Sequence, residues 1–297
     1  TGGGRNTAMG YAAMNANTGG TNNVALGMET LRDGTGHTYN TAVGYNAMLS
    51  MGGNVAGNVA VGGFALYYPS GNYNTAIGYK AISGAAAGTR TAYQNVGIGQ
   101  EVLGDITSGY YNVAAGVFAG TNMTTGHNNV AIGPRALNDA TTATNNVAIG
   151  SYAATGMTDG QYNVAVGQYA LQENTQGDEN VAIGYYSLYN TNPTANEGDN
   201  VAVGSKTGFT NTTGVQNTFI GHRAGYSNTT SNQQVFVGRE AGYNHTEGTT
   251  NIFIGARSGY LNTTGANNTG IGFCNSMNHQ SRHRWNTAFD FADRPYP

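Results

Sequence analysis

The sequence predicts an all-β repeat solenoid, and two observations carry this prediction. The pentapeptide Asn-Val-Ala-Ile-Gly, or a close variant of it, occurs 16 times within the 297 residues. Most copies follow one another at intervals of 17 residues, and a fixed short period is typical of solenoids and fibres. The copies start at Asn6, Asn23, Asn40, Asn58, Asn74, Asn95, Asn112, Asn129, Asn146, Asn163, Asn180, Asn200, Asn217, Gln234, Asn251 and Asn268.

Each pentapeptide is expected to form one short β-strand. Its second and fourth residues are usually Val and Ile, whereas the first, third and fifth are polar or small, which is the alternation of a strand with one apolar face. We expect this apolar face to contribute to the core. The third residue changes from Ala to Phe at Phe219, Phe236 and Phe253.

The glycine that closes every pentapeptide predicts a corner, because a position restricted to Gly indicates positive φ or a close backbone approach. A small residue often follows three positions later and an apolar residue four positions later, as at Ala136 and Leu137. Ten of the pentapeptides also have Gly three residues before their first residue, which predicts a second corner. One coil is therefore expected to contain two short strands and two turns.

Large apolar side chains are few, about three per coil, so the predicted core is thin. Burying so few groups does not offset the entropy lost on ordering the backbone. Hydrogen bonds between coils, stacked Asn side chains and association with identical chains are expected to supply the remaining stability. We therefore expect an oligomeric fibre of about 16 coils, with a length of roughly 75–80 Å at about 4.8 Å per coil.

The domain organisation follows from where the repeat stops. Residues 1–272 are predicted to form the repeat domain and residues 273–297 a C-terminal cap or junction segment. Longer steps before Asn95 and Asn200 predict loops at the edge of the solenoid. Residues 286–290 resemble a degenerate seventeenth copy, and atypical ends protect repeat proteins from aggregation. The chain begins within a repeat, as expected of a fragment or a processed product.

Composition argues against several functional classes. Charged residues make up 9% of the chain and the net charge is −3, which does not indicate a nucleic-acid partner. No apolar run approaches the roughly 20 residues of a membrane span, so no membrane insertion is expected. Cys274 is the only cysteine, which excludes an intrachain disulfide, and it is expected to be a small buried residue.

The pentapeptides resemble the head repeats of trimeric autotransporter adhesins, as at residues 129–133, 163–167 and 180–184. The longer form Asn-Thr-Ala-Ile-Gly-Tyr-x-Ala, at residues 74–81, is similar to repeats of phage tail-fibre proteins. The adhesin repeat is shorter than the 17 residues found here. The resemblance covers residues 6 to about 272, and it implies a left-handed parallel β-roll that is homotrimeric and serves attachment outside a cell or on a virion.

Tyrosines supply the first group of candidate contact residues. Tyr226, Tyr243 and Tyr260 recur in the Ala/Ser-Gly-Tyr form of the second element. Aromatic rows of this kind stack on sugars or contact a protein partner. The alternative is a structural ladder of rings that covers the turn. A second row follows the corner glycine, at Tyr11, Tyr45, Tyr79 and Tyr185.

The second candidate group is a basic and aromatic patch near the C-terminal end of the sequence. Arg282, Arg284 and Trp285 stand beside His279 and His283. This patch is a candidate for binding a glycan or another partner, and an exposed cap is the alternative. The two histidines are the nearest approach to a zinc cluster, but no metal site is predicted.

Catalysis is not expected. Glu179 and Asp199 each precede a pentapeptide and should stack on adjacent coils, where their oxygens would suit a cation on a threefold axis; solvated loop charge is the alternative. A glycosidase needs two carboxylates held about 5–10 Å apart across a cleft, and no cleft is indicated. The threonines form no regular row of the kind that would favour ice binding. We predict no catalytic residue and no cofactor.

The function predicted from these features is that of a non-catalytic attachment fibre. The leading hypothesis is a phage tail fibre, extracellular on a virion or cell surface, that binds a host cell-surface glycan or protein as a homotrimer. The alternative is a bacterial trimeric surface adhesin or an extracellular filament subunit. A glycan-degrading tailspike would require paired carboxylates in a groove.

Overall fold

Every described pentapeptide forms one β-strand. The computed structural model describes residues 3–49, 54–68, 71–84, 91–193, 197–274 and 286–289, and its contacts divide the chain into an N-terminal unit, residues 1–151, and a C-terminal unit, residues 152–297. In the N-terminal unit, β1 to β9 are Thr7–Met9, Val24–Leu26, Thr41–Val43, Val59–Val61, Thr75–Ile77, Val96–Ile98, Val113–Ala115, Val130–Ile132 and Val147–Ile149. In the C-terminal unit, β10 to β17 are Val164–Val166, Val181–Ile183, Val201–Val203, Thr218–Ile220, Val235–Val237, Ile252–Ile254, Asn268–Ile271 and Asn286–Phe289.

Within each unit, successive strands pair in parallel so that equivalent residues of neighbouring coils face one another. Ala131 pairs with Ala148 in the N-terminal unit, and Phe219 pairs with Phe236 in the C-terminal unit. The 21-residue step leaves this register unchanged, since Thr75 pairs with Val96. The predicted all-β solenoid with a period of about 17 residues is therefore confirmed in both units, whereas its handedness and trimeric state stay predictions.

The corner glycine has both properties that its constancy predicts. Gly133 has a φ of 128°, in a region that side chains rarely adopt. A Cβ atom added to Gly133 would lie 2.6 Å from the carbonyl oxygen of Gly150 in the next coil. Backbone conformation and close stacking of the coils thus both require glycine.

The segment after the corner is not a second strand, so this part of the prediction is wrong. It is a run of turns in which Arg135 and Leu137 adopt left-handed φ angles of 57° and 48°. Its amides bond across to the next coil instead of extending a ladder; the Gly120 amide, for example, donates to the Ala136 carbonyl at 2.9 Å. Outside the strands, the described residues make only isolated β-bridges, such as His127 with Thr144.

The strand faces the opposite way from the prediction. Asn129 and Ala131 point inward and are each 1% exposed, whereas Ile132 points outward and is 40% exposed. The inner face of the strand packs against the turn segment of the same coil, which contributes the fully buried Leu137. Because Leu137 fills this narrow cross-section, the strand has room for Ala but not for Val or Ile on its inner face.

Stacked asparagines satisfy buried polar groups along the coils, as predicted. The Asn112 side-chain oxygen accepts bonds from the Asn129 amide at 3.0 Å and from its Nδ2 at 3.1 Å. Asn112 Nδ2 in turn donates to Asn95 Oδ1 and to the carbonyl of Gly126, which is the glycine of the predicted second corner. The ladder continues in the C-terminal unit, where Gln234 takes the place of Asn.

The core of the C-terminal unit is filled differently in its last coils. Phe219, Phe236 and Phe253 replace Ala in the strand, and their buried rings stack at centroid distances of 5.4 and 5.2 Å. Glycine, as at Gly225, stands where Leu137 stands in the N-terminal unit, and a Cβ there would lie 2.7 Å from the Phe219 ring. The change in cross-section that the sequence indicates near Phe209 is thus an exchange of an Ala–Leu pair for a Phe–Gly pair.

Candidate functional surfaces

An apolar stripe runs along the outer face of the strands in each unit. It consists of the second and fourth residues of every pentapeptide; five of the second residues are Thr, the others are apolar, and none of these positions holds a charged residue. The side chains are regularly exposed; Ile98, Ile132 and Ile220 are 46%, 40% and 40% exposed. Monomeric proteins rarely expose a contiguous apolar patch of more than a few hundred Å². The stripe is therefore the main candidate for a contact with another protein.

The predicted tyrosines lie together in one aromatic stack of the C-terminal unit. The stack consists of the fifth residue after each corner glycine, namely Tyr189, Phe209, Tyr226, Tyr243 and Tyr260. Neighbouring ring centroids are 5.4, 5.3, 5.0 and 5.3 Å apart, and the rings lie within 13° of parallel. The faces of Tyr226 and Tyr243 are covered on both sides by other rings, so these two tyrosines offer only ring edges and hydroxyl groups to a ligand.

Arginines lie over the aromatic stack. The guanidinium of Arg223 is 5.9 Å from the centroid of Tyr226, and that of Arg257 is 5.6 Å from the centroid of Tyr260. Arg257 also donates to Glu240 at 2.7 Å. This hydrogen bond, followed by the charges of Arg257, Arg239 and Arg223, lowers the pKa of Glu240. Positively charged side chains thus lie beside the stack, and the Glu240 carboxylate is held among them.

The other candidate contact residues, Arg282, Arg284 and Trp285, lie outside the described residues, as do His279 and His283. The contact roles predicted for both groups stay predictions.

The row of tyrosines after the corner glycine is exposed. Tyr11, Tyr45, Tyr79 and Tyr185 are 74%, 48%, 47% and 45% exposed. Cys274 is also exposed, so the prediction of a small buried residue is wrong. It belongs to the same left-handed turn position as Arg257 and its amide bonds to Ala256 of the preceding coil, which turns its side chain outward.

The predicted acidic pair lies at the rim of a cavity of about 310 Å³ in the C-terminal unit. Glu179 and Asp199 are on successive coils, together with Asp178 and Glu197. Asp178 is engaged by the chain itself, since its carboxylate accepts the Gln161 amide at 2.7 Å. Among the described residues, no group of three or more His, Cys, Asp or Glu side chains is arranged to hold a metal ion.

Two histidines are buried and hydrogen-bonded. His245 approaches Asn262 Oδ1 through Nδ1 at 2.8 Å, and His37 approaches the Asp33 carbonyl through Nε2 at 2.8 Å. Burial lowers the pKa of both imidazoles below the ordinary value of 6.5. Near neutral pH, both imidazoles are therefore uncharged, buried hydrogen-bonding groups.

A cavity of about 410 Å³ in the N-terminal unit was not predicted from the sequence. Phe64, Tyr67 and Tyr68 form one wall, with ring centroids 5.3 Å and 4.4 Å apart for successive pairs. The remaining lining residues come from three further coils and are Lys80, Ser83, Gly84, Glu101, Gly104, Asp105 and Thr121. The irregular steps of the repeat around Asn74 and Asn95 hide this alignment in the sequence.

No helix suited to crossing a membrane occurs in the described ranges. Comparisons of the chain with protein-family models, with curated proteins and with solved structures found no match.

Proposed function

We propose that this chain is a segment of a non-catalytic attachment fibre in which identical chains associate through the apolar stripe. The observation that carries the proposal is the stripe of partly exposed apolar side chains, mostly Val and Ile, that recurs along the strands of each unit. A partner that covers this stripe throughout must itself present apolar side chains about every 4.8 Å. A second copy of the same chain presents apolar side chains at this spacing, which favours association between identical chains.

The assembly that we propose is a homotrimer. The pentapeptide resembles the repeats of trimeric adhesins and of tail fibres, and the 17-residue coil is more similar to the tail-fibre form. Three chains that pack stripe to stripe would enclose the apolar side chains around one axis. The aromatic and charged side chains of the turn segments would remain outside, where a host-surface glycan or protein could reach them.

The mass in solution, measured by light scattering with and without mild heating, tests this proposal. A stable species of about three times 30.8 kDa is expected. A monomer that persists at all concentrations would contradict it. The place of action that follows from an attachment fibre is extracellular, on a virion or a cell surface, and a bacterial adhesin would share the same trimeric arrangement.

A further inference from the structure

The cavity of the N-terminal unit lies where small side chains follow Tyr67 at the fifth position after the corner glycine. The fifth residue after the corner glycine is Tyr67 in one coil, and it becomes Ser83, Gly104 and Thr121 in the next three coils. In the C-terminal unit, the same row position holds the five rings of the aromatic stack. The smaller side chains leave a groove that begins beside the Tyr67 ring.

The backbone register shows that these positions are equivalent. The Tyr68 amide donates to the Ser83 carbonyl at 3.3 Å, and the Asp105 amide donates to the Thr121 carbonyl at 2.8 Å. The same bond in the aromatic stack joins the Thr210 amide to the Tyr226 carbonyl. Ser83 therefore stands one coil beyond Tyr67, at the position that holds a ring in five coils of the C-terminal unit.

Three charged side chains of the cavity are available to a ligand. Lys80, Glu101 and Asp105 take part in no ion pair within the part of the chain that the structure describes. The ammonium of Lys80 lies 5.5 Å from the centroid of the Tyr79 ring. By contrast, the partly exposed Arg32 is held by Glu29 and Asp33. The cavity thus combines an aromatic wall with both donors and acceptors of hydrogen bonds.

We propose that this cavity binds a neutral di- or trisaccharide, with one sugar ring packed on the face of a single aromatic ring of this wall. A pyranose ring offers an apolar C–H face to an aromatic ring and hydroxyl groups to the charged side chains around it. The volume of about 410 Å³ lies in the ordinary range of small-molecule sites. The site rests on the proposed attachment function, for which it names the ligand class.

The charge of the cavity selects against acidic ligands. Glu101 and Asp105 outnumber Lys80, so the charged lining has a net charge of −1. An acidic sugar or a phosphate would bring a like charge toward two carboxylates, which disfavours binding. A neutral sugar uses the same carboxylates as hydrogen-bond acceptors, and charged partners make such bonds stronger than neutral ones do.

Filling the groove is the direct test of this site. Ser83→Tyr places a ring in a row position that accepts tyrosine elsewhere, and it should weaken binding at least about tenfold, equivalent to roughly 1.4 kcal/mol. The matched control is Gln172→Tyr, which adds a tyrosine at the same row position outside the cavity and should leave binding unchanged. A second variant, Glu101→Gln with Asp105→Asn, removes both carboxylates without adding bulk and should also weaken binding.

Isothermal titration calorimetry with cellotriose, chitotriose and lactose supplies the readout, with sialyllactose as the acidic comparison. We expect at least one neutral sugar to bind and sialyllactose to bind more weakly than lactose. The site is overturned if none of the neutral sugars binds, if Ser83→Tyr and the carboxylate variant both bind like the unaltered chain, or if sialyllactose is preferred.

The mass of each preparation separates this result from the proposed function. A trimer without sugar binding overturns the site and leaves the fibre proposal in place. A monomer that binds neutral sugars supports the site and overturns the trimeric fibre.

Discussion

At the scale of single residues, an asparagine ladder links the coils of each unit, with Gln234 as its one substitution. Asn112 makes side-chain bonds to Asn95, Asn129 and Gly126, and all of them are buried. The side-chain oxygen of Asn112 accepts from both the backbone and the side chain of the next coil, whereas those of Asn200 and Asn217 accept the backbone amide. The ladder therefore ties neighbouring coils together at the first residue of the pentapeptide, in addition to the bonds of the sheet itself.

Replacing Asn112 by Ala should destabilise the chain by about 3–5 kcal/mol, because it leaves buried donors and acceptors without partners. Chemical denaturation measures this loss. Thr142→Ala, at an exposed position, is the control and should change the stability by less than about 0.5 kcal/mol. Equal effects of the two substitutions would contradict the structural role of the ladder.

The buried histidines make stability depend on pH. Because the folded-state pKa of His245 lies below 6.5, the unfolded chain binds a proton first as the pH falls. Stability should therefore be full above the unfolded value of 6.5 and decrease below it, by at most about 1.4 kcal/mol per pH unit for each histidine.

His245→Asn should remove its share of this pH dependence, because asparagine occupies the equivalent place at Asn228 and Asn262. Denaturation midpoints measured between about pH 7.5 and pH 5.5 test the expectation. The variant retains His37, whose pKa is also lowered by burial, so a residual dependence is expected. An unchanged pH profile would show that His245 does not contribute.

At the scale of one coil, strand and turn segment fill a shared cross-section. Phe253 in the strand requires Gly259 in the turn, since a Cβ at Gly259 would overlap the Phe253 ring. Elsewhere the strand holds Ala182 and the turn holds Leu188. In both pairs one large and one small side chain fill the cross-section. The large side chain belongs to the strand in the first pair and to the turn segment in the second.

Gly259→Leu alone should destabilise the chain by about 2–4 kcal/mol through overpacking. Combining it with Phe253→Ala should recover much of this loss, because the double variant recreates the Ala182–Leu188 pair and Leu188 itself adopts a left-handed φ of 48°. A double-mutant cycle by chemical denaturation gives the coupling energy. Additive losses would contradict the proposed complementarity.

Local pattern was sufficient to predict the strands, the corner glycines and the ladder. It was not sufficient to orient the strand, because alternation separates two faces without showing which of them meets the core. Leu137 decides this by occupying the interior, and only the folded coil shows that. The second strand was predicted wrongly because Arg135 and Leu137 adopt left-handed angles that their residue types do not signal.

The sequence likewise predicts one candidate site and misses another. Tyr226, Tyr243 and Tyr260 recur at the period of the repeat, so the sequence alone predicts that they lie next to one another on successive coils. The cavity beside Tyr67 depends on the small residues Ser83 and Gly104, which occupy the row position that holds rings in five coils of the C-terminal unit. An absence of side-chain bulk in one row carries no signal until the register of the coils is known.

At the scale of the whole molecule, the exposed stripe predicts the oligomeric state. Ile132→Asp combined with Ile149→Asp places charges on the stripe, and burying them between chains would be costly. The variant should shift the mass in solution from trimer to monomer. Val117→Asp is the control, since Val117 is 42% exposed but follows the corner glycine and is not part of the stripe. A double variant that remains trimeric would place the interface elsewhere.

The Phe–Gly exchange also limits how such a gene can change its length. Deleting one whole period, such as residues 112–128, rejoins equivalent positions of similar coils, so the shortened chain should still fold. Deleting residues 200–216 would remove Gly208, whose backbone lies between Leu188 and Phe219, and would bring these two side chains into the same space. Whole repeats can thus be duplicated or lost among coils that share the Ala–Leu pair or among coils that share the Phe–Gly pair. At the boundary between these two kinds of coil, the same changes would disrupt the core.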